Sequence, residues 1–268
     1  MAATRTHVVR LVLVLLTIGL AFAFPKDEPH PSADEVLKRN IEANGGEQAI
    51  RQVRTLAIIQ ELKMGVRTGD INRPPSTGAV AIFRKAPDKY LVVQRMEGHE
   101  YRRGFDGKEG WEQVDGGAPR ILKEDELREL RKNADLYGLL DRPKWYEKIT
   151  YHEFDDSKEQ PAHVLKFAPA RGSTCYGYFD AKTFLEIKSS CAAPLGWSGG
   201  TLVTYSDYRK VDGLMVPYHV EGETNSRWAG AWETGSGYFK SQVQDVQVNG
   251  EINDAVFSRP QPQPGKKK

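Results

Sequence analysis

The stretch STCYGYFDAKTFLEIKSSC, residues 173–191, reads as two strands, Ser173 to Asp180 and Phe184 to Cys191, joined by the turn Asp180-Ala181-Lys182-Thr183. A hairpin folded about residue 183 puts Cys175 opposite Cys191. Two cysteines in an oxidising compartment point to one disulfide, with a pair of buried thiols as the alternative. A metal site lacks the accompanying His or Cys cluster that it needs.

The flanking sequence reads as further strands. Upstream, a period of two runs through Thr55 to Met64, Gly78 to Arg84, Lys89 to Met96 and Glu100 to Phe105, and Asp106-Gly107 is a tight turn before a short strand around Trp111. Trp145 to Phe154 and Ala162 to Phe167 lead into the hairpin. Thr201 to Tyr208, Leu214 to Glu221 and Tyr238 to Val248 follow it, and Asp254 to Phe257 closes the ordered part. Two helical segments interrupt the pattern. Ser32-Ala33-Asp34-Glu35 is a capping box ahead of Val36, Leu37 and Ile41. Gly45-Gly46 ends that helix, and Glu47 to Val53 offers a second short turn. Leu127, Leu130, Ala134 and Tyr137 recur at helical spacing within a charged run bounded by Pro143. The expected fold is mainly β with helices (α+β). About eleven antiparallel strands form a curved sheet, an unclosed barrel, because a sheet that wide must curl, split or close. The N-terminal and inserted helices cover its concave side.

Arg5, His7 and Arg10 precede the apolar run LVLVLLTIGLA at 11–21 and the small-residue site Ala21-Phe22-Ala23. This arrangement describes a cleavable secretory signal. The run is short of the roughly 18–20 residues of a membrane span; a retained anchor is the alternative. No Cys stands near the site to carry a lipid, and no later segment is apolar enough to span. The expected layout is a signal peptide at 1–23, a flexible leader at 24–31, one domain at 32–257 and a disordered Pro-rich basic tail at 258–268. The location expected is periplasmic or secreted.

The 38 Lys and Arg residues, less Arg5 and Arg10, balance the 36 Asp and Glu residues, which gives no electrostatic footprint for nucleic acid. The His residues are scattered, and no G-x-S-x-G elbow or phosphate-cradling loop occurs. Neither a catalytic centre nor a cofactor or metal is expected. The excess is aromatic, with five Trp. AAPLGWSGG (192–200) and NSRWAGAWETGSG (225–237) carry Trp197, Trp228 and Trp232 in weakly strand-like sequence. Apolar groups at loop tips mark ligand mouths or contact surfaces; folding back onto the sheet is the alternative. With Trp111, Leu127, Leu130, Tyr137 and Trp145, these are the candidate cavity or mouth residues.

Five patterns occur together: IEANGG (41–46), GFDGKEGW (104–111), YFDAKT (178–183), SDYRKVDGLMVP (206–217) and DAVFSRP (254–260). Over residues 32 to 260 the chain thereby resembles the exported bacterial proteins of the outer-membrane lipoprotein-sorting (LolA-like) superfamily. Phe184 departs from the pattern, standing where a Gly often ends the hairpin turn. The resemblance implies an unclosed antiparallel barrel with helices over an apolar cavity. It also implies a non-enzymatic carrier for a hydrophobic small molecule, lipid or lipoprotein acyl chain, expected to be a monomer. The alternative is a cell-envelope module that holds a protein partner with a packed barrel and exposed Trp loops. An enzyme would need polar residues converging inside the cavity.

Overall fold

The computed structural model describes residues 30–67, 74–192, 197–228 and 235–261. The expected signal peptide, most of the leader, Trp232 and residues 262–268 lie outside them.

Helix α1 (Ala33–Ala43) begins where Ser32 Oγ accepts the Glu35 backbone N–H at 3.1 Å. Only this half of the capping box forms, because the Glu35 carboxylate pairs with Arg39 one turn on, at 2.6 Å. Gly45 and Gly46 adopt φ of 113° and 85°, which glycine tolerates without a Cβ clash. They redirect the chain into α2 (Gly46–Gln52). A Cβ at position 45 would strike the Gly213 carbonyl, so this glycine also lets the helical corner sit against a strand turn.

The chain then runs through β1 (Thr55–Arg67), β2 (Ser76–Lys85), β3 (Lys89–Met96), β4 (His99–Phe105), β5 (Gly110–Val114) and the two-residue β6 (Arg120–Ile121). Helices α3 (Glu124–Ala134) and α4 (Arg142–Trp145) follow. Next come β7 (Lys148–Asp155), β8 (Ala162–Ala168), β9 (Cys175–Asp180), β10 (Glu186–Ala192), β11 (Trp197–Val211), β12 (Leu214–Trp228) and β13 (Gly235–Val248). Among the described residues all thirteen strands form one antiparallel sheet, ordered β6-β5-β4-β3-β2-β1-β13-β12-β11-β10-β9-β8-β7. Two meanders therefore meet at β1 and β13, and the sheet stays unclosed, with β6 and β7 as its edges. The architecture is the expected α+β half-barrel. Trp145 differs from expectation: it ends the turn of helix α4 rather than beginning a strand, because Pro143 sits in the first turn, where its missing N–H costs nothing.

The hairpin holds as read. Cys175 and Cys191 face each other in the β9–β10 register and are joined by a disulfide. Phe184, in place of a glycine, adopts φ 59°, a region disfavoured for a bulky residue. Its ring is 9% exposed within the cluster of Val36, Leu165, Phe167 and Phe179 and stacks on His163. Burial of the ring offsets the backbone strain.

Alternate residues of a strand point to opposite faces. On one face, α1 packs on Leu165, Phe167 and Phe179, and α3 packs on Ile82, Tyr90, Val92 and Phe105. The strand register carries this face without a break from Ile82 through Ile58 and Val246 at one end, and from Gly78 through Leu62, Ser241 and Val220 further along. Both helical covers therefore lie on the same, concave side. The opposite face of β2, β3 and β5 presents Phe83, Leu91, Val93 and Trp111 to Ile252 and Phe257 of the C-terminal segment. Arg259 pairs with Glu109 at 2.8 Å, so the start of the expected tail is fastened to the turn between β4 and β5.

Asp254 anchors this segment through Lys85 and Lys89, each at 2.7 Å. Hydrogen bonds from Lys85 and then Lys89 hold its carboxyl down to about 2, against an ordinary 3.8. A depressed folded pKa contributes stability above the ordinary value that is lost as pH falls through the folded one. Acidification from about pH 4 to about 2 is expected to loosen residues 251–261. Hydrogen exchange of that segment reads the step, and Asp254→Asn is expected to flatten it.

Candidate functional site

Between the two helical covers, the concave side of β2, β1, β13, β12 and β11 forms a floor. Leu62, Val80, Ser241 and Val243 are buried there, with relative exposures of 7%, 8%, 4% and 5%. Val203, Tyr205 and Val220 share this face by register. None of the seven belongs to the α1 cluster or the α3 cluster. The floor runs out to Met64, paired with Phe239, where the Met64 side chain is 39% exposed. Gly222 gives the Phe239 ring its place, since a Cβ at 222 would collide with that ring. Ser241 Oγ donates to Gln60 Oε1 at 2.7 Å, and the Tyr205 and Ser189 hydroxyls bond at 3.1 Å. The few polar atoms of the floor therefore satisfy one another and leave its surface mostly apolar.

A polar cluster flanks the floor on the α1 side. Arg142, the first residue of α4, donates from Nη2 to Asn40 Oδ1 at 3.1 Å and stands 3.6 Å from the Glu186 carboxylate. Its guanidinium lies 5.4–5.6 Å from the centres of the Phe179 and Phe167 rings. Asn40, with no exposed surface, donates to the Phe184 carbonyl at 2.7 Å. Burial raises the Glu186 carboxyl, and Arg142 opposes that shift. Burial pushes the Tyr205 phenol up to about 12 and moves Tyr208 in the same direction. Tyr208 donates to the Glu186 carbonyl at 2.5 Å. A groove of about 450 Å³ between Leu37, Ile41, Leu140 and Pro143 reaches Arg142 from outside.

On the α3 side, Arg84 and Arg103 project from the same face as Ile82 and Val92. Each has a buried Nε that makes no hydrogen bond among the described residues. Burial lowers the Arg84 pKa.

The residues singled out in the sequence divide between places. Leu127 and Leu130 line the inner face of α3, over Gly110, where a Cβ would stand 2.8 and 3.0 Å from their methyl groups. Tyr137 lies beyond the end of α3 and donates to the Val53 carbonyl at 2.9 Å. Trp145 donates from Nε1 to Asp135 at 2.8 Å. These four belong to the α3–α4 cover. Trp111 is on the convex face, 1% exposed under the C-terminal segment. The backbones of Trp197 and Trp228 pair at the far end of β11 and β12. Sequence reasoning missed Arg84, Arg103, Arg142, Glu186 and Tyr205. Arg84 carried a readable signal, since it follows Val80 and Ile82 at period two on an inward face.

Among the described residues no helix is long and apolar enough to cross a membrane, and no three His, Cys, Asp or Glu residues gather as metal ligands. The unclosed antiparallel sheet with helices on its concave face is the LolA-like fold. Among solved structures it is similar to a LolA superfamily protein from Nitrosomonas europaea, with TM-score 0.57, 10% identity, and coverage of 85% of this chain and 98% of that one. A DUF1329 family protein from Desulfovibrio piger matches with TM-score 0.55 at 10% identity, over 84% and 97% of the two chains. An outer membrane lipoprotein-sorting protein domain from Vibrio parahaemolyticus matches with TM-score 0.54 at 10% identity, over 84% and 97%. At such identity the likeness is one of fold. No protein-family model and no curated protein matches the chain.

Proposed function

We propose that this protein is an exported, non-enzymatic carrier of an apolar ligand, a lipid, an acyl chain or a lipoprotein, and that it works as a monomer in the periplasm or outside the cell. Residues 1–23 serve as its cleaved signal, residues 24–31 as a leader, residues 32–257 as the binding domain and residues 258–268 as a tail. The observation that carries this reading is the apolar floor of Leu62, Val80, Val203, Val220 and Val243, left between two separate helical covers. A chain laid on that floor gains about 0.8 kcal/mol for each buried methylene. A ligand enters where α3, packed on β2 to β4, parts from α1, packed on β8 and β9. The likeness to a lipoprotein-sorting domain supports the same reading.

Organic extraction of the purified protein followed by mass spectrometry tests this. A recurrent lipid or acyl species is the expected result, and a consistently empty protein overturns it. Val220→Trp fills the half-buried centre of the floor. Displacing about three methylenes is expected to weaken binding of a twelve-carbon chain roughly 50-fold. Titration calorimetry measures the effect, and an unchanged affinity places the ligand elsewhere.

A further inference from the structure

Most of the described arginines are provided for. Arg120 pairs with Glu112 at 2.6 Å and Glu126 at 2.7 Å. Arg142 has Asn40 and Glu186, with only its Nη1 left buried without a hydrogen bond. Arg84 is different. Among the described residues its guanidinium makes no hydrogen bond and no ion pair, and it only overlies the Tyr90 ring at 5.7 Å. The nearby acid Asp135 is engaged by Lys144 at 3.3 Å and Trp145 at 2.8 Å. Arg103 repeats the arrangement two strands away. Its Nε is buried without a hydrogen bond and stands 4.0 Å from Glu112, while Glu112 is taken by Arg120 and by the Tyr101 hydroxyl at 3.0 Å. Leaving a cation buried and unpaired is costly. Arg84 lacks an anion, and Arg103, on the same concave face across β3, has only Glu112 at 4.0 Å, which other donors already share.

Resting on the carrier reading, we propose that the ligand is an anionic amphiphile whose head, a carboxylate or phosphate on an acyl chain, is received by Arg84 and Arg103. The chain itself lies along Ile82, Val80 and Leu62 toward Met64. The order of residues along β2 supports this polarity. Arg84, Ile82 and Val80 project inward in succession, so a head held at Arg84 starts its chain on the apolar floor. Guanidinium groups match oxyanions with paired, charge-assisted hydrogen bonds, and burial strengthens such bonds.

The test compares binding of dodecyl phosphate, laurate, dodecyl maltoside and inorganic phosphate to purified protein, Arg84→Met, Arg84→Lys and Arg103→Met. The two anionic chains are expected to bind at least about tenfold tighter than the maltoside, the worth of one or more charge-assisted hydrogen bonds. Arg84→Met and Arg103→Met are each expected to remove most of that preference while the maltoside affinity stays within about twofold, since uncharged chain contacts are untouched. Arg84→Lys is expected to keep part of it. Removal of an unpaired buried charge is also expected to raise the melting temperature of ligand-free Arg84→Met, so loss of anion binding there is not loss of folding. A preference that persists in both Met variants, or equal binding of anionic and neutral chains, overturns the proposal and leaves the carrier reading standing. Inorganic phosphate binding as tightly as dodecyl phosphate overturns the amphiphile and leaves an anion site. If no dodecyl compound binds, the carrier reading fails with it.

Discussion

Trp111→Ala is expected to lower the unfolding free energy by about 3–5 kcal/mol, the range for removing a large buried aromatic side chain. The indole is 1% exposed, with Leu91 and Phe257 buried around it. It also donates from Nε1 to the Phe257 carbonyl at 2.8 Å, so truncation leaves a buried acceptor without its partner. Gly104 shows how closely the ring is fitted, since a Cβ there would stand 2.5 Å from it. Trp111→Phe separates the two contributions. It keeps most of the apolar area, and its residual loss of about 1–3 kcal/mol reports the orphaned carbonyl. Urea unfolding measures both variants. A loss below about 1 kcal/mol for Trp111→Ala would mean that the C-terminal segment does not seal this face.

The second large effect is at Arg142. Arg142→Ala is expected to cost about 3–5 kcal/mol, because it strands the Glu186 carboxylate and the Asn40 amide oxygen in a partly dry interior. Replacing both charges, as in Arg142→Met with Glu186→Met, is expected to recover most of that loss. The single variant should also respond to pH. Burial already raises the Glu186 carboxyl above 4.5, and without Arg142 only the smaller pull of Lys132 opposes that shift. A raised folded pKa contributes stability that is full below the ordinary value and lost as pH rises through the folded one. Arg142→Ala should therefore lose more at pH 8 than at pH 5. Chemical unfolding of both variants at the two pH values measures this, and a loss equal at both would remove Glu186 from the account.

The sheet was largely legible because each strand is a local pattern. Thr55 to Met64 and Gly78 to Arg84 alternate visibly, and the observed strands extend these stretches rather than move them. β6 escaped notice because two residues have no period. α4 escaped because four residues with a proline resemble a strand entrance. The site was less legible because its contacts are long-range. Asn40 meets Arg142 across 102 positions and Phe184 across 144, and no window of sequence contains either pair. Aromatic content alone does not tell which face of the sheet a residue takes. The strand period decides which face a tryptophan takes, and Trp111 takes the face away from α3.

The meeting of β1 with β13 has a consequence for the order in which the molecule is made. Hairpins can zip the first six strands as they emerge, and the later strands likewise zip from neighbours. The register of Leu56 with Val248 joins residues 192 positions apart in the chain. Pairings so distant in sequence form slowly, even though the closure entropy grows only with the logarithm of the loop. Until residues 235–248 arrive, β1 is an unpaired edge and the apolar floor lacks its middle strand. Until its last long strand is in place, the newborn chain therefore exposes a strand edge and an apolar face of the kind that promote aggregation.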